Sequence, residues 1–385
     1  MKRVLFDDVF FNVNNTGIAR MWRSIFAEFS VSEILSECSV ELIILNRSNQ
    51  LAGMGFETIY FPEYEFQTPA IDRMLIDNVV SDLEINIFIS SYYTFSTCCN
   101  NLGILYDMIP EHIGFDKSLR GWIEKKLYIG NIDSFIGISE STCTDLARFY
   151  PTPRGRTVRT VYPGVNNKIF YPRNEKEKRI FKERHKLKNF LVFVGSRGGY
   201  KNAELFLESL KFMDSVDLDI LFVGGADLSK DEIVTARRFG FELKRLVLDD
   251  EDLAVCLSSA DVLVYPSLYE GFGLPPLEAL AVGTPVVTTK FSSLPESVGE
   301  LGAFCDGRSS RDLAYVIAQA QKLHWREKVL AEGPKWTSKK DWAASARGVA
   351  VALQETPAER SAISIQVSEI TREYTELAAV LQQKS

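Results

Sequence analysis

Two carboxylic acids stand eight positions apart around a glycine-bearing turn, in the run Glu270-Gly271-Phe272-Gly273-Leu274-Pro275-Pro276-Leu277-Glu278. An ionised carboxylate accepts several hydrogen bonds at once, which suits the vicinal hydroxyls of a ribose or a hexose. Glycines let the backbone approach a ligand closely, and the N–H groups at the start of a following helix favour an anion. A lone E-G-x-G would mean no more than a helix start beside an exposed Glu. Upstream, however, Gly195-Ser196-Arg197-Gly198-Gly199-Tyr200-Lys201 sets two cations four positions apart in a second glycine-rich turn. Arginine grips phosphate oxygens in bidentate fashion, and lysine acts as a point charge. A diphosphate held by cations and hydroxyls held by acids together describe a cradle for a nucleotide sugar.

Both turns fall at the ends of short apolar runs, where strands are expected. In the second half these runs are Phe190–Ser196, Asp219–Gly225, Lys244–Asp249, Asp261–Ser267, Pro285–Lys290 and Gly302–Asp306. They are rich in Val, Leu and Phe without alternation, the pattern of strands buried on both faces of a parallel sheet. Helical spacing lies between them, as in Leu205, Phe206, Leu210 and Met213. Strand and helix in alternation imply a doubly wound α/β domain, whose ligands bind outside the carboxyl ends of the strands. The first half repeats the theme in Arg3–Val9, Glu41–Asn46, Asn86–Ser91, Gly103–Asp107, Phe135–Ser139 and Val158–Tyr162. The expected layout is an N-terminal Rossmann-like domain over residues 1–172, a charged connector over 173–188, a second domain over 189–335, and a helical segment over 336–385. That last segment is expected to pack back on the body or to join two copies through an a/d seam over 363–381.

Composition narrows the class further. Hydrophobic residues make up 46% and charged residues 25% of 385 positions, the balance of a globular chain rather than a disordered one. A formal net charge of -7 argues against nucleic acid as the partner. The six cysteines form no C-x-x-C pair and no metal-ligand spacing, which fits a reducing cytosol. No run is long and apolar enough to span a bilayer, so a cytoplasmic location is expected. The interleaved acids Glu175, Glu177 and Glu183 of 173–188 favour a solvated connector or a surface helix over a polyanion contact. Residues 117–128 combine Leu119, Trp122, Ile123 and Leu127 with Lys117, Arg120, Lys125 and Lys126. Such a helix either packs on the core or rests on the inner face of a membrane.

The stretch Glu270–Glu278 resembles the signature of the retaining glycosyltransferases of sequence family 4, E-x7-E within E-G-F-G-L-P-x-x-E-A, and it is complete here. The resemblance implies the GT-B fold, two Rossmann-like doubly wound domains facing a central cleft. It implies that Glu270 meets the hydroxyls of the donor sugar, Glu278 the ribose, and Arg197 with Lys201 the pyrophosphate. In the first domain, Thr16 and Gly17 open a helix where family members carry a phosphate-facing turn. Gly103–Glu111 resembles a strand that ends in H-D-x-x-P, with Tyr106 standing in the His position. Tyrosine donates and accepts a hydrogen bond but is no base near neutral pH. His112 is a nearby substitute, and Ser139 and Glu140 match cleft-lining positions.

The expected catalytic residues are therefore Glu270, Arg197, Lys201 and Tyr106. Donor contacts are expected from Gly17, Ser196, Arg197, Lys201, Gly271, Phe272, Gly273, Leu274 and Glu278. The reaction implied is hexosyl transfer with retention, from a nucleoside-diphosphate sugar to a hydroxyl of a glycan or lipid-linked acceptor. No metal is expected, because fixed cations stabilise the leaving diphosphate. Overall likeness to mannosyltransferases of bacterial polysaccharide assembly favours GDP-mannose as the donor. The rivals are a nucleotide-sugar epimerase, a phosphorylase-like enzyme of the same architecture, and a non-catalytic binding protein that kept the fold.

Overall fold

The computed structural model describes residues 1–14, 17–116, 119–150, 156–359 and 371–372. It divides into two compact units, Met1–Tyr162 together with the segment from Trp342 onward, and Pro163–Asp341.

The first unit is built on a seven-stranded sheet in the order β3-β2-β1-β4-β5-β6-β7. Its strands are β1 (Lys2–Asp7), β2 (Val40–Asn46), β3 (Glu57–Tyr60), β4 (Ile87–Ser90), β5 (Asn100–Leu105), β6 (Ser134–Gly137) and β7 (Thr157–Thr160). Every pairing is parallel. The apolar runs of the sequence account for all of these except β3. That strand reads Glu-Thr-Ile-Tyr, lies at the sheet edge and leaves Tyr60 80% exposed, so it never needed a buried face. One core cluster gathers Leu5, Ile43, Leu45, Ile76, Val80 and Phe88.

The second unit carries a six-stranded parallel sheet in the order β10-β9-β8-β11-β12-β13. These strands are β8 (Asn189–Val194), β9 (Leu218–Val223), β10 (Leu243–Leu246), β11 (Val262–Tyr265), β12 (Val286–Thr289) and β13 (Gly302–Cys305). Strand order reverses between β8 and β11, where Leu191 pairs with Val262 and Val192 with Leu263. Such a switch point opens a crevice at the carboxyl ends, because the crossovers on its two sides leave in opposite directions. Leu191, Phe193, Phe206, Phe222, Val264 and Val287 fill the core around it.

The domain boundaries differ from those read in the sequence. The chain leaves the first unit after Tyr162, not after residue 172. Of the two readings of the charged run, connector or surface helix, the structure has the helix. The run forms the helix Glu175–Arg184, opened by a capping box at Asn174 and Glu177, and its one apolar anchor, Phe181, is 2% exposed. Burying one such ring contributes roughly 1.5–3 kcal/mol, enough to seat a helix that is otherwise solvated. It packs on the helix Asp250–Ser259 within the second unit. At the other end, Trp342–Glu355 is a helix of the first unit. It buries Trp342, Ala346, Val349 and Leu353 and packs on the helix Gly17–Val31. The seam over 363–381 lies outside the described residues, apart from Thr371 and Arg372.

Candidate active site

The two turns singled out in the sequence both follow strands at the switch point. After β8 the chain turns at Gly195, makes one 3-10 turn over Gly199–Lys201, and enters the helix Ala203–Ser209. After β11 it passes through Pro266 to Gly273 and enters the helix Leu274–Ala281. Parallel pairing of β8 with β11 therefore delivers both loops to the same edge of the sheet.

Lys201 and Glu270 meet there. The Lys201 ammonium donates to both carboxylate oxygens of Glu270, at 2.7 and 2.9 Å, and to the phenol oxygen of Tyr265 at 2.8 Å. Side-chain exposure is 14% for Lys201 and 9% for Glu270, so the pair is shielded without being sealed. Ser267 donates to Glu270 Oε1 at 2.6 Å, while the Glu270 backbone N–H donates to Ser292 Oγ at 2.8 Å. Ser293 Oγ in turn donates to the Glu270 carbonyl at 2.9 Å. The carboxylate is thus fixed at its head and at its backbone. Burial, followed by the charge of Glu270, pushes the Tyr265 phenol well above its ordinary range, and Glu278 adds to the same effect. Glu278 is 2% exposed, within the helix that follows the glycine turn.

Gly273 has φ +96° and caps that helix, and a Cβ there would sit 3.1 Å from Leu294. A side-chain-bearing residue would be strained by the left-handed backbone and crowded by the neighbour. The helix start is a weaker anion site than the sequence suggested. Pro275 and Pro276 carry no N–H, so Leu274 alone among the first three helical residues offers a donor. Phe272 is 2% exposed and belongs to the core, which leaves only its backbone to face a ligand. Gly271 and Leu274 are partly exposed.

Arg197 departs from the expectation that it faces the same anion as Lys201. Its Nε donates to Glu232 Oε1 at 2.6 Å, and its Nη2 donates to the carbonyls of Ala226 and Asp227 at 2.7 and 2.8 Å. The guanidinium also lies 5.3 Å from the centre of the Phe222 ring. It borders a pocket of about 760 Å³ lined by Ser196, Gly198 and Gly199 of its own loop and by the acids Glu204, Glu208, Asp227, Asp231 and Glu232. Arg197 thereby ties the loop after β8 to the loop after β9. Ser196, beside it, is exposed.

In the first unit Tyr106 is also a correction. Its hydroxyl accepts from Trp22 Nε1 at 2.7 Å and donates to the Ser91 carbonyl at 3.0 Å, and the residue is 7% exposed. Those bonds fasten the helix Gly17–Val31 to the end of the sheet and occupy the phenol within the fold, where a sugar contact was expected. His112 pairs with Asp145 at 2.9 Å and meets the Phe149 ring edge-on. Ser139 is fully buried and caps the helix Glu140–Phe149 by accepting from Thr142 N–H at 3.0 Å. Glu140 and Gly17 are exposed. Thr16 lies outside the described residues.

Sequence reasoning missed a second polar cluster at the carboxyl ends of β1 and β2. Arg47, with a side chain 0% exposed, bonds Asp7 at 2.7 Å and Asp72 at 2.6 Å. Thr94 adds a bond to Asp7 at 2.7 Å. No motif flags these residues, because their partners are far apart in the chain. In 117–128, Lys125 is not on the solvated rim. Its side chain is 1% exposed and donates to Glu111 at 2.9 Å and to the Asp107 carbonyl at 3.1 Å. Leu119 and Ile123 are 57% and 48% exposed, and Ile113 and Phe115 are exposed as well.

Two doubly wound parallel sheets in one chain, of seven and six strands, are the architecture of the GT-B fold. The pattern of the family described as "Glycosyl transferases group 1" matches residues 174–332, a segment that lies within the second unit. The O-antigen chain mannosyltransferase B of Escherichia coli is 28% identical over 234 residues, 57% of this chain and 61% of that one. A D-inositol 3-phosphate glycosyltransferase of Corynebacterium diphtheriae is 30% identical over 195 residues, 46% of this chain and 45% of its own. The chain thus spans less than two thirds of the length of either relative. Among solved structures, Anabaena HepE in complex with UDP and glucose superposes with a TM-score of 0.69 at 16% identity, covering 92% of this chain and 100% of that one. Among the described residues, no helix is long and apolar enough to cross a membrane.

Proposed function

We propose that the chain is a retaining glycosyltransferase that moves a hexose from a nucleoside-diphosphate sugar to a hydroxyl of a glycan or lipid-linked acceptor. The observation that carries this reading is the Lys201–Glu270 pair at the switch point, held by Tyr265 and Ser267. In the donor complex Lys201 turns from Glu270 to the diphosphate, and Glu270 accepts from the hydroxyls of the sugar. Glu278 takes the ribose.

The barrier in such a transfer is departure of the leaving group, as negative charge grows on the diphosphate and positive charge on the anomeric carbon. A shielded ammonium stabilises the first, since a fixed charge needs no reorganisation and is poorly screened. A carboxylate held by Ser267 stays where the sugar must sit. With one cation rather than two at the pair, backbone N–H groups of the glycine turns take a larger share of the diphosphate. The leaving phosphate oxygen is the acceptor for the hydroxyl proton, since the loops 195–202 and 266–273 carry no histidine.

Mannose is the hexose proposed, with GDP-mannose as donor, on the likeness to the Escherichia coli O-antigen mannosyltransferase. The inositol-phosphate relative is of comparable identity, so the donor is the first thing to measure. A thermal-shift panel of GDP, UDP, ADP and dTDP tests the reading. A cognate nucleotide at 100 times its Kd stabilises by about 2.7 kcal/mol. The reading fails if none of the four raises the melting temperature, or if GDP-mannose and the other nucleotide sugars yield no nucleoside diphosphate with any glycan acceptor.

The apolar face at Leu119 and Ile123 supports a peripheral contact with a membrane carrying a lipid-linked acceptor.

A further inference from the structure

Three consecutive residues, Tyr200, Lys201 and Asn202, each bond the segment that leads to Glu270. The Tyr200 carbonyl accepts from the Leu268 backbone N–H at 2.8 Å. Lys201 donates to Tyr265 and Glu270. Asn202 donates from its single amide nitrogen to two carbonyls, Pro266 at 3.1 Å and Gly307 at 2.9 Å. The backbone at Asn202 is left-handed, with φ 61° and ψ 33°. Asparagine tolerates that region better than most residues, but at a cost that the surroundings must hold in place.

We infer that Asn202 is a positioning residue that sets Lys201 against Glu270, and that it acts through Lys201 on the diphosphate of the donor. The inference rests on the donor-site reading above. Two features separate it from ordinary loop packing. Both partners are carbonyl acceptors, so the side chain must present N–H here, and aspartate cannot replace it. Its two anchors lie on different loops, one after β11 and one after β13, so the side chain fixes the turn in two directions at once. The left-handed twist at residue 202 ends the 3-10 turn that carries Lys201, so a slip at this point swings the ammonium away from Glu270.

The test is a double-mutant cycle read by isothermal titration with GDP and with UDP, on the full chain. Asn202→Asp should weaken the nucleotide that binds by about 10-fold or more in the wild-type background, but by less than about 2-fold once Lys201→Ala is present. Asn202→Gly keeps the left-handed backbone and loses only the clamp, and it should fall between wild type and Asn202→Asp. Equal losses from Asn202→Asp with and without Lys201 would overturn the inference, since the residue would then act on the fold and not on the ammonium. Wild-type affinity in Asn202→Gly would overturn it too, because the backbone twist alone would suffice. If Lys201→Ala binds nucleotide as tightly as wild type, the donor-site reading itself is lost, and the inference goes with it. If Lys201→Ala weakens binding while the Asn202 losses simply multiply, only the inference fails.

Discussion

The ammonium of Lys201 lies 2.7 and 2.9 Å from the two carboxylate oxygens of Glu270, 69 positions later in the chain. On the proposed reading, donor binding exchanges this internal ion pair for contacts to diphosphate and sugar. Replacing Lys201 or Glu270 with Ala should lower turnover at least about 100-fold, close to 2.7 kcal/mol of transition-state stabilisation. Steady-state release of nucleoside diphosphate in the presence of acceptor is the measurement. Near-normal turnover in either variant removes that residue from the mechanism.

Tyr106 is expected to behave as a packing residue. Tyr106→Phe strands the Trp22 indole N–H in the core, so it should cost about 1–3 kcal/mol of stability in the first unit. Turnover at a temperature where the variant is folded should stay within about threefold of wild type, since no step is routed through the phenol. Thermal or urea unfolding followed beside the kinetics checks both halves. A stable variant with a large loss of turnover would return Tyr106 to the chemistry.

Glu232 gives a pH prediction with a definite sign. Burial alone would raise its carboxyl, but hydrogen bonds from Arg197 and Ser229 outweigh that and hold it below its ordinary value of 4.5. A depressed carboxyl contributes stability that is present above the unfolded value and lost as the pH falls through the folded one. The wild type should lose part of its stability on acidification below about pH 4.5, and Glu232→Gln should show a shallower decline over the same range. Melting temperatures between neutral pH and pH 3 decide it. An unchanged slope in the variant would mean that the Arg197–Glu232 pair is energetically silent in solution.

The apolar face of the helix Arg120–Asn131 makes a claim about surfaces. Co-sedimentation with anionic phospholipid vesicles should pellet the wild type, and Leu119→Asp with Ile123→Asp should reduce binding at least about 10-fold, because each apolar side chain withdrawn from water is worth some 1.5–3 kcal/mol at full burial. Turnover on a water-soluble acceptor should be unaltered. Binding that survives the double substitution would place any membrane contact elsewhere.

Much of the architecture was legible in the residues. Continuous apolar runs such as Phe190–Val194 and Val262–Tyr265 announce strands buried on both faces, and a parallel sheet follows because each run is separated from the next by a helical stretch. The edge strand β3 carries no such run, because an edge needs no face buried on both sides. The boundary at 172 was misplaced because a charged stretch reads as a linker, whereas a single buried ring, Phe181, is enough to bind it to a core. Where the helix Trp342–Glu355 docks could not be read from its own pattern, since an apolar stripe does not name its partner.

At the site the division is sharper. The sequence alone determined which residue types stand at the ends of β8 and β11, and so the expectation of a diphosphate and hydroxyls as ligands. Tertiary structure decided which of those side chains meet. Lys201 finds Glu270 because parallel neighbours bring their carboxyl ends to one edge, a relation with no trace in local spacing. Arg197 turns instead to Glu232, and Tyr106 to Trp22, because a buried donor or acceptor takes the nearest partner that folding provides. Chemistry at a strand end is a local property of the chain, whereas the pairing of charges across loops is set by sheet order, and only the fold supplies that.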